Sequence, residues 1–315
     1  MSNVSSAEAE IEAKAAEAET AEAEPAGGGA AASPFSLRLI SADDPCGPDL
    51  DLEGDADYLN FFAAIEGLLP ANYYGFNRET IGFPAAFKTL DSLLERTLDI
   101  RLLILGAKLA ILNRNFESFA ARIGSVAWLL GAHWDEVHPR AEGGDFALRA
   151  GQLETLDDNA VSLLPLQYAP LIDAGRLGVL SYRDHLVATG AAQPRVVTRL
   201  NLRGEEETTA DEKFMAPSAV DRLLRDVDIE RIVGAYETAR GLVSSVQAIR
   251  SATTERGGDS AAVRLEKLDG IAKGMAEFLR AALAARDPSF APAADAEAPG
   301  EDKAGEEGAA SPELR

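Results

Sequence analysis

Apolar residues recur at three- and four-residue spacing through most of residues 34–286, a period that predicts helices almost throughout. The first covers about 55–69, with Tyr58, Phe61, Phe62, Ile65, Leu68 and Leu69 on one stripe, and Pro70 stops it. A loop over 72–83 then places Tyr73, Tyr74, Phe76 and Phe83 outside any helical period. Pro84 suits the first turn of a second helix, striped by Phe87, Leu90, Leu93, Leu94 and Thr97. The third, over 98–112, is apolar on nearly every side except at Arg101 and Lys108, so it belongs in the middle of a bundle. A turn at 113–115 leads into a fourth helix carrying Phe116, Phe119, Ile123, Val126 and Leu130 before Trp134, and Pro139 marks its limit.

Beyond a glycine-containing loop at 141–145 the pattern weakens. Helices are expected over 146–157 and 161–166, an extended piece over 178–180, and a short helix N-capped by Ser181. Residues 191–213, with Gln193-Pro194 and the charged run 203–207, read as a linker. A short helix from Pro217 to about 226 follows, then two long amphipathic helices over 229–251 and 261–285, joined at Gly257-Gly258. Their 3-4 register predicts an antiparallel hairpin that packs on the first domain, on another copy or on a partner. The fold class is therefore all-α: a helical bundle domain over 34–190, a linker over 191–213 and a hairpin over 214–286.

Charge adds the two ends. Of the net −22 over 315 residues, 1–33 contribute seven Glu against one Lys, and 287–315 contribute eight acidic against two basic residues. These Ala/Glu- and Pro-rich ends hold almost nothing larger than alanine to bury, and they read as disordered acidic tails. Fifty-two acidic against 30 basic residues disfavour nucleic acid and anionic membrane surfaces as partners. A lone cysteine, Cys46, makes no internal disulfide. No secretory signal is recognisable at the N-terminus. The most apolar run, 102–112, contains Lys108 and is shorter than a membrane span. A cytoplasmic protein with no direct membrane insertion is expected.

Candidate chemistry is sparse. His133, Asp135, Glu136 and His138 suggest a metal site, but five residues of helix turn the two rings about 140° apart, and no further His or Cys completes a zinc set. A helix terminus with His138 capping or packing near Trp134 is the plainer reading. Ser181, Asp184 and His185 hint at a catalytic triad without a nucleophile elbow, and neighbouring Asp and His side chains on a helix do not face each other. Phosphate-binding glycine loops are not found. Asp43-Asp44 and Asp157-Asp158 read as caps or solvated charge. The loop residues Tyr73, Tyr74 and Phe76 are candidates for packing under the bundle or for partner contact. No catalytic, cofactor-binding or metal residue is assigned.

Four segments nevertheless form an ordered pattern: Ile40-Ser41 with Pro45-Cys46-Gly47-Pro48-Asp49-Leu50; Thr97-Leu98-Asp99-Ile100-Arg101; Trp134-Asp135-Glu136-Val137-His138-Pro139; and Ser181-Tyr182-Arg183-Asp184. Together they resemble the ImpA N-terminal domain of the TssA proteins of bacterial type VI secretion. Leu98 stands where that family usually has Lys, and the aromatic loop replaces a short polar connection. The resemblance implies a non-catalytic assembly component that contacts baseplate, tube, sheath or membrane-complex subunits, with homo-oligomerisation left open. It also implies that Pro45, Cys46, Gly47, Asp49, Leu50, Thr97, Asp99, Arg101, Trp134, Asp135, His138, Pro139, Ser181, Arg183 and Asp184 are architectural. The chain length leaves no room for that family's ring-forming C-terminal domain. Two rival readings are an accessory paralogue that caps or restrains the sheath, and a metal-dependent hydrolase using His133, Asp135 and His138.

Overall fold

A computed structural model describes residues 37–141, 144–200, 206–210, 214–258 and 261–290. The N-terminal tail and residues 291–315 lie outside the described residues. The architecture is mainly α, with helices α1 (Ala56–Glu66), α2 (Phe83–Leu94), α3 (Ile100–Leu112), α4 (Phe116–Ala132), α5 (Ala147–Glu154), α6 (Leu164–Tyr168), α7 (Tyr182–Ala188), α8 (Pro217–Asp226), α9 (Ile229–Gly257) and α10 (Glu266–Ala284). The sequence predicts an all-α fold with one short extended piece over 178–180; that piece is a strand, and the structure adds three more. Strands β1 (Pro170–Asp173) and β2 (Val179–Ser181) pair antiparallel, as do β3 (Val196–Leu200) and β4 (Glu206–Ala210). The second pair occupies the segment read as a linker.

The core is a succession of packed helices, in which α3 lies against α2 and α4, α4 against α9, and α9 against α10. Helix α3 buries eleven of its residues, Ile100 to Leu112, in keeping with its all-round apolar sequence. The hairpin of α9 and α10 finds its partner on the first helices: Leu242, Val246, Ile249 and Leu279 share one contiguous core with Phe119, Ile123 and Val126.

Several helix ends differ from the periodic reading for local reasons. Helix α1 stops at Glu66, which leaves Leu68, expected in the core, exposed. In place of a helix over 161–166 a π-helical turn, Asn159–Leu163, feeds α6, with Pro165 in its first turn. Helix α10 begins five residues later than its apolar pattern suggests, because Leu265 takes a left-handed φ of 47° with its side chain buried. That left-handed residue supplies no side-chain cap. The cap comes from far away in sequence: Asp157 accepts from the backbone N–H of Lys267 (3.2 Å) and Leu268 (2.9 Å), while Asp158 caps the π turn through Ala160 and Val161.

Close packing between α10 and α7 gives a prediction of opposite signs on one helix. A Cβ built on Gly274 would lie 2.1 Å from the Tyr182 hydroxyl, whereas one on Gly270 meets nothing within 4 Å. Gly274→Ala is expected to destabilise by about 1–2 kcal/mol, overpacking outweighing helix propensity. Gly270→Ala should stabilise by about 0.5–1 kcal/mol from propensity alone. Urea unfolding of the two variants checks the pair, and a Gly274→Ala protein as stable as Gly270→Ala would contradict the packing.

Candidate functional site

Three of the four motifs meet at one buried junction. In the first, Gly47 turns with φ +69°, and an added Cβ would sit 2.6 Å from the Arg96 carbonyl, so only glycine fits there. This turn sends the Cys46 carbonyl to accept from Leu98 N–H (2.8 Å) and the Pro48 carbonyl to accept from the Thr97 hydroxyl (2.7 Å). Asp99 and His138 form an isolated parallel bridge, in which Ile100 N–H donates to the His138 carbonyl (3.0 Å) and His138 N–H to the Leu98 carbonyl (3.3 Å).

At the centre of the junction lies Arg101. Asp99, 0 % exposed, caps α3 through Arg101 N–H (2.7 Å) and accepts from Arg101 Nε (2.9 and 3.0 Å), Arg101 Nη2 (2.7 Å) and the Tyr58 hydroxyl (2.9 Å). Arg101 Nη2 also donates to Asp49 Oδ1 (2.9 Å), and Nη1 donates to Asp51. Burial alone would lower the Arg101 pKa, but the Asp99 hydrogen bonds and charge raise it above the ordinary value. Burial and the Asp99 charge push the Tyr58 phenol up. The guanidinium therefore ties three carboxylates from two segments.

His138 completes the contact with the first motif. Its Nε2 lies 2.8 Å from the Gly47 carbonyl, which only accepts, so Nε2 carries the hydrogen. Its Nδ1 stands 3.4 Å from Asp49 Oδ2. Burial would raise the Asp49 pKa, but the His138 contact and the Arg101 charge hold it well below the usual carboxylate range. A folded-state pKa depressed in this way contributes stability above the unfolded value of about 3.9 and loses it as pH falls. Asp49→Asn is therefore expected to flatten the acid side of the stability profile below about pH 5. Denaturation midpoints at a series of pH values measure this, and equal slopes in both proteins would count against it.

The third motif is held from below by a residue that sequence reasoning missed. Arg149, on α5 and 2 % exposed, donates to the carbonyls of Trp134 (3.0 Å), Val137 (2.9 Å) and Pro139 (2.8 and 3.2 Å). Its guanidinium lies 4.6 Å from the Trp134 ring and 5.3 Å from that of Phe146. Burial lowers its pKa to about 10. Nothing in the residue pattern announces it, since its partners are backbone carbonyls. Tyr58 was read only as core, and its buried hydroxyl was missed for the same reason.

The proposed metal geometry needs correction in its premise. Helix α4 ends at Ala132 with His133 as its C-cap, so His133 and His138 do not share a helix. His133 Nδ1 lies 4.0 Å from Glu136, Asp135 is exposed, and His138 faces Gly47 and Asp49. Among the described residues no group of three or more His, Cys, Asp or Glu is arranged to hold a metal ion. Cys46 is buried, and burial with the Glu136 charge pushes its thiol up to about 12. Leu50 and Pro139 are also buried.

The fourth motif is separate. Ser181 and Asp184 form a reciprocal capping box on α7, and Asp184 also accepts from Met215 N–H (3.1 Å). His185 stacks on Phe278 (3.8 Å), and burial lowers its pKa. Arg183 donates to the Gln193 carbonyl (2.8 Å) and lies 5.7 Å from the Tyr168 ring. That ring joins the aromatic loop, 5.5 Å from Tyr73 and 6.2 Å from Tyr74. Arg195 covers Tyr74 at 4.4 Å, and Tyr74 keeps 41 % of its surface exposed. Phe76 is half-buried against the core.

Residues 37–158, which contain the whole junction, match the family described as "ImpA, N-terminal, type VI secretion system". Over this segment the chain is similar to the ImpA N-terminal family. It is 25 % identical over 246 residues to the type VI secretion system component TssA1 of Pseudomonas aeruginosa, a match covering 75 % of this chain. The chain spans 64 % of that relative's length. Its fold is similar to that of the N-terminal domain, including the conserved ImpA_N region, of the TssA component from Burkholderia cenocepacia. The TM-score is 0.58 at 18 % identity, covering 84 % of this chain and 99 % of that one. The fold likeness therefore extends past residue 158 toward the hairpin, while the family match coincides with the Arg101 and Arg149 junction. Among the described residues no helix is long and apolar enough to cross a membrane.

Proposed function

We propose that the protein is a non-catalytic assembly component of a type VI secretion apparatus, acting in the cytoplasm by binding other subunits. The observation that carries this reading is the family match over residues 37–158, joined to how its motif residues are used. Asp49, Asp99, Arg101 and His138 are spent on one another and on backbone groups, and serve to hold a surface in shape. The partners are baseplate, sheath, tube or membrane-complex subunits, and the exposed Tyr74 with Tyr73 and Phe76 forms a contact surface. Tyrosine beside arginine is the chemistry found at energetic centres of protein interfaces.

Affinity capture with the tagged full chain, in a strain carrying the complete apparatus, tests the reading. Enrichment of apparatus subunits is expected, with loss on Tyr74→Ala at unchanged thermal stability. Capture of no such subunit overturns it.

A further inference from the structure

The turn that enters α1 shows a leucine to solvent although it is tightly held. Asp49 Oδ1 accepts from Asp51 N–H (3.1 Å) and Leu52 N–H (3.2 Å), and the Asp49 carbonyl accepts from Glu53 N–H (3.0 Å). Gly54 turns with φ +70°, Asp55 N–H donates to the Leu50 carbonyl (2.9 Å), and Arg101 takes up the Asp51 carboxylate. In the middle of this turn Leu52 is 79 % exposed, more than any other large apolar residue among those described. A side chain fixed outward in advance loses little freedom on binding.

Helix α1 continues the surface. Its Tyr58, Phe61 and Ile65 are buried, while the opposite face carries Ala56, Asn60 and Ala63, all small and exposed. Leu59 at the margin of that face and Leu68 beyond the end of the helix are also exposed. The 11 residues of α1 span about 16 Å. Small side chains let a second helix approach closely. Single surface leucines are ordinary, but three on one short helix and its flanking turns mark an interaction site.

Charge selects what covers it. Residues 49–66 hold six carboxylates, Asp49, Asp51, Glu53, Asp55, Asp57 and Glu66, and no Lys or Arg. Arg101 pairs with Asp49 and Asp51, and Arg96 with Asp55 and Asp57. Glu53 and Glu66 are exposed and have no ion pair among the described residues. Lys88, which lines the groove between α1 and α2 together with Asp57, leaves the balance negative. A second copy would set these carboxylates against themselves, and the chain's own acidic ends are repelled in the same way.

We propose that α1 and the Leu52 turn form a docking surface for a basic amphipathic helix of another protein. Its apolar stripe covers Leu52, Leu59 and the alanines, and Lys or Arg on its flanks meet Glu53 and Glu66. This rests on the assembly role proposed above and gives it a surface apart from Tyr74.

The probe is a capped helical peptide of leucine and lysine in heptad register, labelled for fluorescence anisotropy and titrated with the full chain. Binding that weakens as salt rises is expected. Leu52→Ser should weaken it about ten- to hundredfold, the worth of burying one leucine, at an unchanged melting temperature. Glu53→Lys combined with Glu66→Lys should weaken it at low salt and have little effect at high salt. No binding, or equal affinity for the Leu52→Ser protein, overturns the proposal. So does equal affinity for a counterpart peptide with glutamate in place of lysine. Self-association of the full chain that Leu52→Ser abolishes also overturns it, by giving the surface to a second copy. Affinity capture separates the surface from the role: apparatus subunits enriched equally by the Leu52→Ser chain overturn the surface and leave the role standing. Capture of no subunit overturns the role, while the peptide titration still decides the surface.

Discussion

Arg101→Ala is expected to lower the unfolding free energy by about 3–5 kcal/mol, the range for removing one member of a buried ion pair. The physical reason is what it leaves behind. Asp99 is fully buried and, without the guanidinium, keeps only the Tyr58 hydroxyl and the α3 backbone as donors. Asp49, Asp51 and Asp99 then repel one another with no cation between them. Tyr58→Phe removes a single donor and should cost about 0.5–1.5 kcal/mol. Arg101→Lys keeps the charge but loses the planar fork, so it should fall between the two. Chemical denaturation orders the three variants, and an Arg101→Ala protein no less stable than Tyr58→Phe would show that Arg101 is not the centre of the junction.

Arg149→Met should have an effect of similar size, about 3–5 kcal/mol, by a different route. Among the described residues no carboxylate bonds to Arg149, and its hydrogen bonds go to the carbonyls of Trp134, Val137 and Pro139. Methionine fills most of the space but donates nothing, so three buried acceptors lose their partner, at about 1–3 kcal/mol each in the worst case. The turn that carries His138 should loosen with it. Hydrogen exchange reports this, because Ile100 N–H donates to the His138 carbonyl. Faster exchange at Ile100 in Arg149→Met, with α9 amides unaffected, separates local loosening from general destabilisation. Uniform acceleration would contradict a local role.

The helices were legible because their burial is periodic. Leu90, Leu93 and Leu94 on α2, and Phe119, Ile123, Val126 and Leu130 on α4, all lie in the core as their spacing implies. What escaped the sequence was structure made by backbone groups. Helix α4 ends at Ala132 because the chain turns at His133, and only that turn places His138 beside Gly47. A periodicity argument carried past Ala132 therefore gave the wrong rotation between the histidines. Arg149 escaped because carbonyl acceptors have no residue type. The ribbon escaped because its alternation is short and its charged residues resemble a linker. The motifs themselves could be found in order along the chain, but their convergence on Arg101 depends on distances that no spacing rule contains.

The order in which the junction closes bears on how the chain is made. Gly47 lies near the start of the described fold, yet its carbonyl is held by His138, 91 residues later. During synthesis from the N-terminus the lead-in emerges well before its partner exists, and it waits through the production of α1 to α4. Loop closure over such a span grows costly only slowly with length, so the delay is one of time more than of free energy. The lead-in around Gly47 is thus made before α1 to α4 yet fixed only after them, and until then the apolar faces of α2 and α3 are surfaces that a chaperone would meet.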